Sequence, residues 1–475
     1  MIRSAGLPIT VLLALAACVV ACAHHAPAPT TPDDPGRPWT PPSAPSAPDT
    51  PAPETSRVSD RVYTLPELID LAMRTNPETR LAWERARAAA ARLGRADADY
   101  LPILAVDVQA GHSRIESRTG AGGVFTSGPS ITPQVELAWV LVDFGRRDAD
   151  WDARAQELLA ADFEFNRRHQ EIAFAVEKAY FRFDAARAEI AATQATLDAA
   201  RSVREAADAL LAQGLATLTD AAVARQQEAQ ARYELEVARK LQADARAELA
   251  KALGVSPAQA IAVAEMPDDA APPASLEAPV DRLIAAALEG RPDLVALAAI
   301  VRGREAEVRR AEADFQPTIA AAGAVGGTAG RFRAEGGTRS FEYAEPIWGA
   351  FLAFDWDFYD GGRRRSAVEE ARARAAESEA ELALARLEAE GEVWRSWADF
   401  QAARTQVEFA RVLLEASQEA YDAVRAGYRS GLNSATDLVQ VERDLARARS
   451  TRIESRARML TSAASLVFAV GAATP

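Results

Sequence analysis

Strand-like patterning, confined to four short stretches, interrupts a chain that is otherwise patterned for helices. In one stretch Leu352, Phe354, Trp356 and Phe358 alternate with Ala353, Asp355, Asp357 and Tyr359. A period of two with aromatics on one face and carboxylates on the other predicts a strand between an apolar and a watery phase. The same reading predicts strands at 103–114 and 131–144, and again at 318–333 and 347–359. Trp139, Trp348 and Tyr343 are candidates for an aromatic girdle. A soluble sheet would show the same alternation, but it would need more strands than these. Helical patterning predicts a helix over about 65–99 and another over about 280–314, each broken in its first turns by a Pro that disfavours helix at the preceding residue. Very long helices are expected over 146–212 and 363–429. At 1.5 Å per residue each would span on the order of 100 Å, far more than a globular core needs. A Gly then permits a left-handed stop, and a second long helix runs on.

The pattern is written twice. Pro77 is matched by Pro292 (292 − 77 = 215) and Pro102 by Pro317, also 215. Asp143-Phe144-Gly145-Arg146-Arg147 returns as Asp360-Gly361-Gly362-Arg363-Arg364, and Gly214-Leu215 with Thr219-Asp220 returns as Gly431-Leu432 with Thr436-Asp437, both at an offset of 217. Chance similarity between Ala-rich helices would not hold register over that distance. The division expected is a first repeat at 58–265, a linker at 266–279 and a second repeat at 280–470. Four strands cannot close a barrel, and open sheet edges are not tolerated in lipid, so several copies must pool their strands.

Composition changes the picture only at the N-terminus and in the choice of partner. The 475 residues carry a net charge of −14, which argues against nucleic acid. The two Cys, Cys18 and Cys22, allow no disulfide framework or metal cluster in the fold, and the four His suggest no metal site either. A single positive charge followed by an apolar run from Leu7 to Ala21 reads as an export signal, too short to span a bilayer as a mature helix. Leu15-Ala16-Ala17-Cys18 and Val19-Val20-Ala21-Cys22 both resemble the lipobox of bacterial lipoproteins, in which the Cys becomes the acylated first residue. The first is the better motif, but the polar stretch begins only after Cys22, which makes Cys22 the preferred anchor and Cys18 the alternative. An ordinary cleaved signal is the plainer reading. Residues 1–22 are thus taken as a lipoprotein signal. Residues 23–57, rich in Pro, Ala, Thr and Ser, are taken as an extended tether without enough apolar surface to fold.

Together these motifs resemble the TolC-like outer-membrane factors, in particular the lipoprotein branch serving multidrug efflux. The resemblance covers about residues 62–470. It rests on Tyr63-Thr64-Leu65-Pro66-Glu67-Leu68-Ile69-Asp70-Leu71-Ala72, on Asn76-Pro77, on the Asp360 to Arg364 turn and on both Gly-Leu-x-x-x-Thr-Asp turns. It implies a mainly α fold with a small β part, built of two tandem repeats of helix, strand, strand, long helix and long helix. Three copies would form a 12-stranded outer-membrane β-barrel continued by a periplasmic α-helical barrel. It further implies that Gly214-Leu215 and Gly431-Leu432 lie at a periplasmic tip that docks an adaptor (membrane fusion) protein. Thr219, Asp220 and Tyr428 would then join a closing hydrogen-bond network, and Asp437 would line the constriction. Three copies of one carboxylate around a narrow hole make a ring that favours cations. Asn433 stands where some members carry Arg, and Gln440 where a second acidic ring can lie, so a lower ring would be neutral. The simpler role for Asp220 and Asp437 is to cap the helices that follow.

The function implied is the exit duct of a tripartite efflux pump, as a homotrimer with outer-membrane lipid around it and an adaptor and a proton-driven inner-membrane transporter as partners. An exit channel for type I protein secretion would use the same fold. A lipid-tethered coiled-coil scaffold is opposed by the Phe354/Trp356/Phe358 alternation. The chain carries no Gly-rich phosphate loop, ligand cluster or Ser/His/Asp constellation in a plausible context, so neither an enzyme nor a cofactor is expected.

Overall fold

The computed structural model describes residues 34–37, 39, 61–119, 122–259, 261–267, 270–334, 340–430 and 432–472. Both candidate anchor Cys, most of the tether and Gly431 lie outside the described residues. In chain order the elements are β1 (Val62–Tyr63), α1 (Leu65–Thr75), α2 (Pro77–Ala98), β2 (Ile103–Thr119), β3 (Gly122–Val142), α3 (Arg146–Ala212), α4 (Leu218–Leu253), β4 (Ala262–Val263), a 3-10 turn (Ala274–Glu277), α5 (Val280–Gly290), α6 (Pro292–Ala313), β5 (Thr318–Ala334), β6 (Ser340–Asp355), α7 (Arg363–Arg429) and α8 (Ala435–Val470). The repeat is exact in its helices. Those of 11, 22, 67 and 36 residues each occur twice in the same order. The two longest helices have the bounds expected. The 65–99 and 280–314 helices are each two helices, because Pro77 and Pro292 open new ones at N1 and hold Asn76 and Arg291 in extended conformation. The described helices contain none long and apolar enough to cross a membrane.

The chain falls into two compact units. One joins residues 87–160 to 298–380 and holds a four-stranded antiparallel sheet in the order β2-β3-β5-β6. Register sorts its two faces. Leu104, Val106 and Val108 stand opposite Leu137, Val135 and Pro133, and Val325, Ala321 and Ile319 opposite Trp348, Leu352 and Phe354. The other face presents Asp107, Gln134 and Glu136 in one pair of strands and Gly326, Ala324 and Ala322 in the next. Two differences from expectation concern aromatics. Tyr343 stacks on Phe332 on the face opposite Trp348, at 5.2 Å between rings, so it does not belong to an apolar-face girdle. And β6 stops at Asp355, so Trp356 and Phe358 lie beyond the ladder.

The reason is a corner built the same way in both repeats. Asp143 Oδ2 accepts from the Arg147 amide (3.1 Å) and Nε (2.8 Å), and Arg147 Nη1 donates to the carbonyls of Val140 and Asp99. Asp360 Oδ2 accepts likewise from the Arg364 amide (3.0 Å) and Nε (2.8 Å), and Arg364 reaches the carbonyls of Asp314 and Asp357. Trp139 and Trp356 each donate an indole N–H to the last residues before a strand, Tyr100 O at 2.9 Å and Phe315 O at 3.1 Å. Each Arg satisfies carbonyls orphaned where strand gives way to helix.

The second unit joins residues 31–86, 161–297 and 381–475. Its core gathers Leu68, Leu71, Ile172, Val176, Tyr180, Leu249 and Leu253, with a second cluster around Leu283, Val393, Phe400 and Leu466. Here too the repeats close alike. Gly254 and Gly471 end α4 and α8 in left-handed conformation (φ 70° and 78°), and a side chain at either would collide with Asn76 or Arg291. Asn76 Nδ2 donates to Ala252 O (2.9 Å) and Thr75 Oγ1 to Leu253 O (2.6 Å). In the second repeat Arg291 takes that place, donating to Ala469 O (3.0 Å) and Glu392 (2.6 Å) and gripping Asp293 through two nitrogens. From α3, Arg167 and Gln170 hold Phe468 O and Gly471 O.

Within the N-terminal segment, Asp34 to Arg37 form a turn and Trp39 is buried to 5% exposure, so this part is seated on the fold rather than extended.

Candidate functional site: two capped turns

The two Gly-Leu turns join α3 to α4 and α7 to α8. Gly214, at φ 74°, lets Leu215 N–H bond back to Leu210 O at 2.9 Å, a helix stop that leaves Leu215 72% exposed. The second turn repeats the bond, Leu432 N–H to Gly427 O at 2.8 Å, with Leu432 83% exposed. Two exposed leucines on helix-stop turns present apolar surface.

Each turn then starts its next helix with a reciprocal cap. Thr217 Oγ1 accepts from the Asp220 amide (3.2 Å), while Asp220 Oδ2 accepts from the Thr217 amide (3.0 Å) and hydroxyl (2.7 Å). Ser434 and Asp437 make the same three bonds at 3.1, 2.9 and 2.8 Å. Capping is therefore a role both carboxylates hold within one chain. It also keeps them charged. The Thr217 hydroxyl and then its amide hold Asp220 below the usual aspartate range, and the Ser434 amide and then its hydroxyl do so for Asp437. The sequence reading named Thr219 and missed Thr217 and Ser434, which were legible as Thr-x-x-Asp and Ser-x-x-Asp ahead of a helix. Thr219 is exposed in the first turn of α4, and Gln440 is exposed, donating to Asp444 of its own helix at 3.2 Å.

The structure brings the two turns together at Tyr428. Its ring joins a cluster with Tyr421, Leu438 and Val441, and burial followed by the charge of Asp220 raises its phenol pKa. Asn433 folds back over Gly427, where a side chain would collide with it, so the residue in the Arg-like position turns inward onto α7. Nearby, Arg443 Nε donates to Gln227 at 2.8 Å, linking α8 to α4, and Glu228 of α4 bonds Arg204 and Arg232 at 2.7 Å each.

One buried acid lies beside this network without a hydrogen-bond partner among the described residues. Glu442 of α8 is 3% exposed, and burial pushes its carboxyl up to about 7 despite the charges of Arg443 and Arg449. Its neutral form is the one the fold prefers. That contribution is complete below the ordinary glutamate pKa and is lost as pH rises through about 7. Glu442→Gln should therefore leave stability unchanged at pH 4 and raise it by on the order of 2 kcal/mol at pH 8. Thermal unfolding across that range reads the effect. A parallel pH dependence in wild type and variant would remove Glu442 as its source.

Comparison with known proteins places the whole arrangement. The model of a family described as outer membrane efflux protein matches residues 68–255 and 283–472, one segment in each repeat. Protein CyaE of Bordetella pertussis is 29% identical over 429 residues, covering 88% of this chain and 86% of that protein. Outer membrane protein OprJ of Pseudomonas aeruginosa is 27% identical over 375 residues, covering 78% and 76%. The crystal structure of outer membrane protein VceC from Vibrio cholerae superposes with a TM-score of 0.74 at 21% identity, over 86% of this chain and 96% of that one.

Proposed function

We propose that this chain, which belongs to the outer membrane efflux protein family, is the outer-membrane channel component of a tripartite efflux pump, as a homotrimer. It resides in the outer membrane with a large periplasmic portion. One observation supports assembly from several copies, the count of three being what the family resemblance implies: among the described residues, a four-stranded sheet with an apolar face ends in two strands, β2 and β6, that each have a neighbour on one side only. Unpaired backbone cannot face lipid, and three copies placed edge to edge close a twelve-stranded barrel. The two repeats, 58–265 and 280–470 around the linker 266–279, supply two strands each to every copy.

In this reading Leu215 and Leu432, with Gly214 and Gly431, dock a periplasmic adaptor, which links the duct to a proton-driven inner-membrane transporter. Asp437 lines the constriction, Asp220, Thr219 and Tyr428 close it, and Gln440 forms a neutral lower ring. Acylated Cys22, or Cys18, anchors the N-terminus. The chain carries transport and no catalysis. Purified protein in planar bilayers should show stepwise conductance and run as a heat-modifiable trimer band; a non-conducting soluble rod would sink the reading. Efflux is separated from type I secretion by deleting the gene. Dye retention in the deletion strain supports efflux, whereas normal dye efflux with a protein lost from the culture supernatant supports secretion.

A further inference from the structure

The N-terminal segment, by composition a plain tether, carries a local program for docking. Asp34-Pro35-Gly36-Arg37 is a turn sequence, and the turn forms: Asp34 Oδ1 accepts from the Gly36 amide at 2.8 Å and Asp34 O from the Arg37 amide at 3.3 Å. Two residues on, Trp39 meets α3 of its own chain. The Asn166 side chain reads both backbone groups of Trp39, its Oδ1 accepting from Trp39 N–H at 2.7 Å and its Nδ2 donating to Trp39 O at 2.9 Å. The indole sits edge-on to Phe163, with ring centroids 5.5 Å apart. Next along the helix, burial holds the His169 pKa below its usual value, against the opposing pull of the Phe165 and Pro35 backbone and the Asp34 charge. The same two turns of α3 hold the other end of the chain through Arg167 and Gln170, which bond Phe468 O and Gly471 O.

We propose that Phe163 and Asn166 form a docking site for Trp39 that fastens the N-terminal segment to the helical body independently of any acyl anchor. A side-chain amide that satisfies both backbone groups of one residue is a recognition device, since it substitutes for a neighbouring strand while a buried indole selects the register.

Hydrogen exchange on the purified full chain tests it. The Trp39 amide should exchange at least about tenfold slower than in an unstructured segment, and the protection over 34–39 should vanish in Asn166→Ala. Trp39→Ala, which cannot unfold the body, should release the Gly36 and Arg37 amides as well. A chain exported with an ordinary cleaved signal and carrying no acyl group should keep the wild-type protection. Free exchange at Trp39 in the wild type, protection that survives Asn166→Ala, or protection that disappears with the acyl group each overturns the proposal.

Discussion

Arg291→Ala should cost about 3 kcal/mol of stability. Arg291 is 5% exposed and grips Asp293 through two nitrogens, Glu392 at 2.6 Å and the Ala469 carbonyl at 3.0 Å. Removing one partner of a buried charge cluster leaves the others uncompensated, which costs roughly 3–5 kcal/mol, and the lower end applies because Asp293 and Glu392 keep about a third of their side-chain exposure. The repeat supplies the control. Asn76 occupies the equivalent place with a neutral amide bonded to Ala252 O, so Asn76→Ala should cost only about 1 kcal/mol. The clamp should also be acid-sensitive. Burial acts to raise the Asp293 carboxyl, but the hydrogen bonds of Arg291 and the charge of Arg167 hold it below the usual aspartate range. Its contribution is therefore full above the ordinary aspartate pKa and lost as pH falls through the lowered one. Guanidinium unfolding of both variants at pH 7 and pH 3 reads all of this. Equal costs for Arg291→Ala and Asn76→Ala at pH 7 would defeat the clamp.

Asp437→Asn should abolish most of the cation preference of the duct while leaving it folded. The asparagine keeps an oxygen to accept from the Ser434 amide and hydroxyl, so the cap survives and only the charge goes. Because those two bonds hold the Asp437 pKa low, the wild-type charge persists at any neutral or mildly acidic pH. On the proposed placement at the constriction, three such charges around a narrow hole concentrate cations, and three neutral amides do not. Asp437→Ala removes the cap too, adding about 1 kcal/mol of destabilisation at the start of α8. Single-channel currents under a salt gradient separate the two effects. An unchanged reversal potential in Asp437→Asn would take Asp437 out of the constriction.

The two carboxylates show how far sequence carried the site. Asp220 and Asp437 were legible through the repeated Gly-Leu-x-x-x-Thr-Asp, Asp220 as cap or network partner and Asp437 as cap or ring. The partners Thr217 and Ser434 carried a local signal, three residues ahead of an acid at a helix start, that the family pattern overshadowed. Tyr428 beside Asp220 carried no local signal, because 208 residues separate them and only the packing of the helices joins them (428 − 220 = 208). Arg291 sits just ahead of the Pro292 landmark, yet its grip on Glu392 and Ala469 spans 101 and 178 residues.

Periodicity, proline and glycine acted locally, and by themselves they determined the 67-residue helices, the doubled order of elements and the left-handed stops. The two faces of each strand followed almost as directly, since a period of two permits only one assignment of faces. What only the tertiary structure decided were contacts between elements distant in sequence. It ended β6 at Asp355, where the Arg364 corner captures the chain. It also seated Trp39 on Asn166, 127 residues away. A tether poor in apolar residues cannot fold alone, but one indole and two backbone groups find on α3 the surface and the amide that the segment itself lacks.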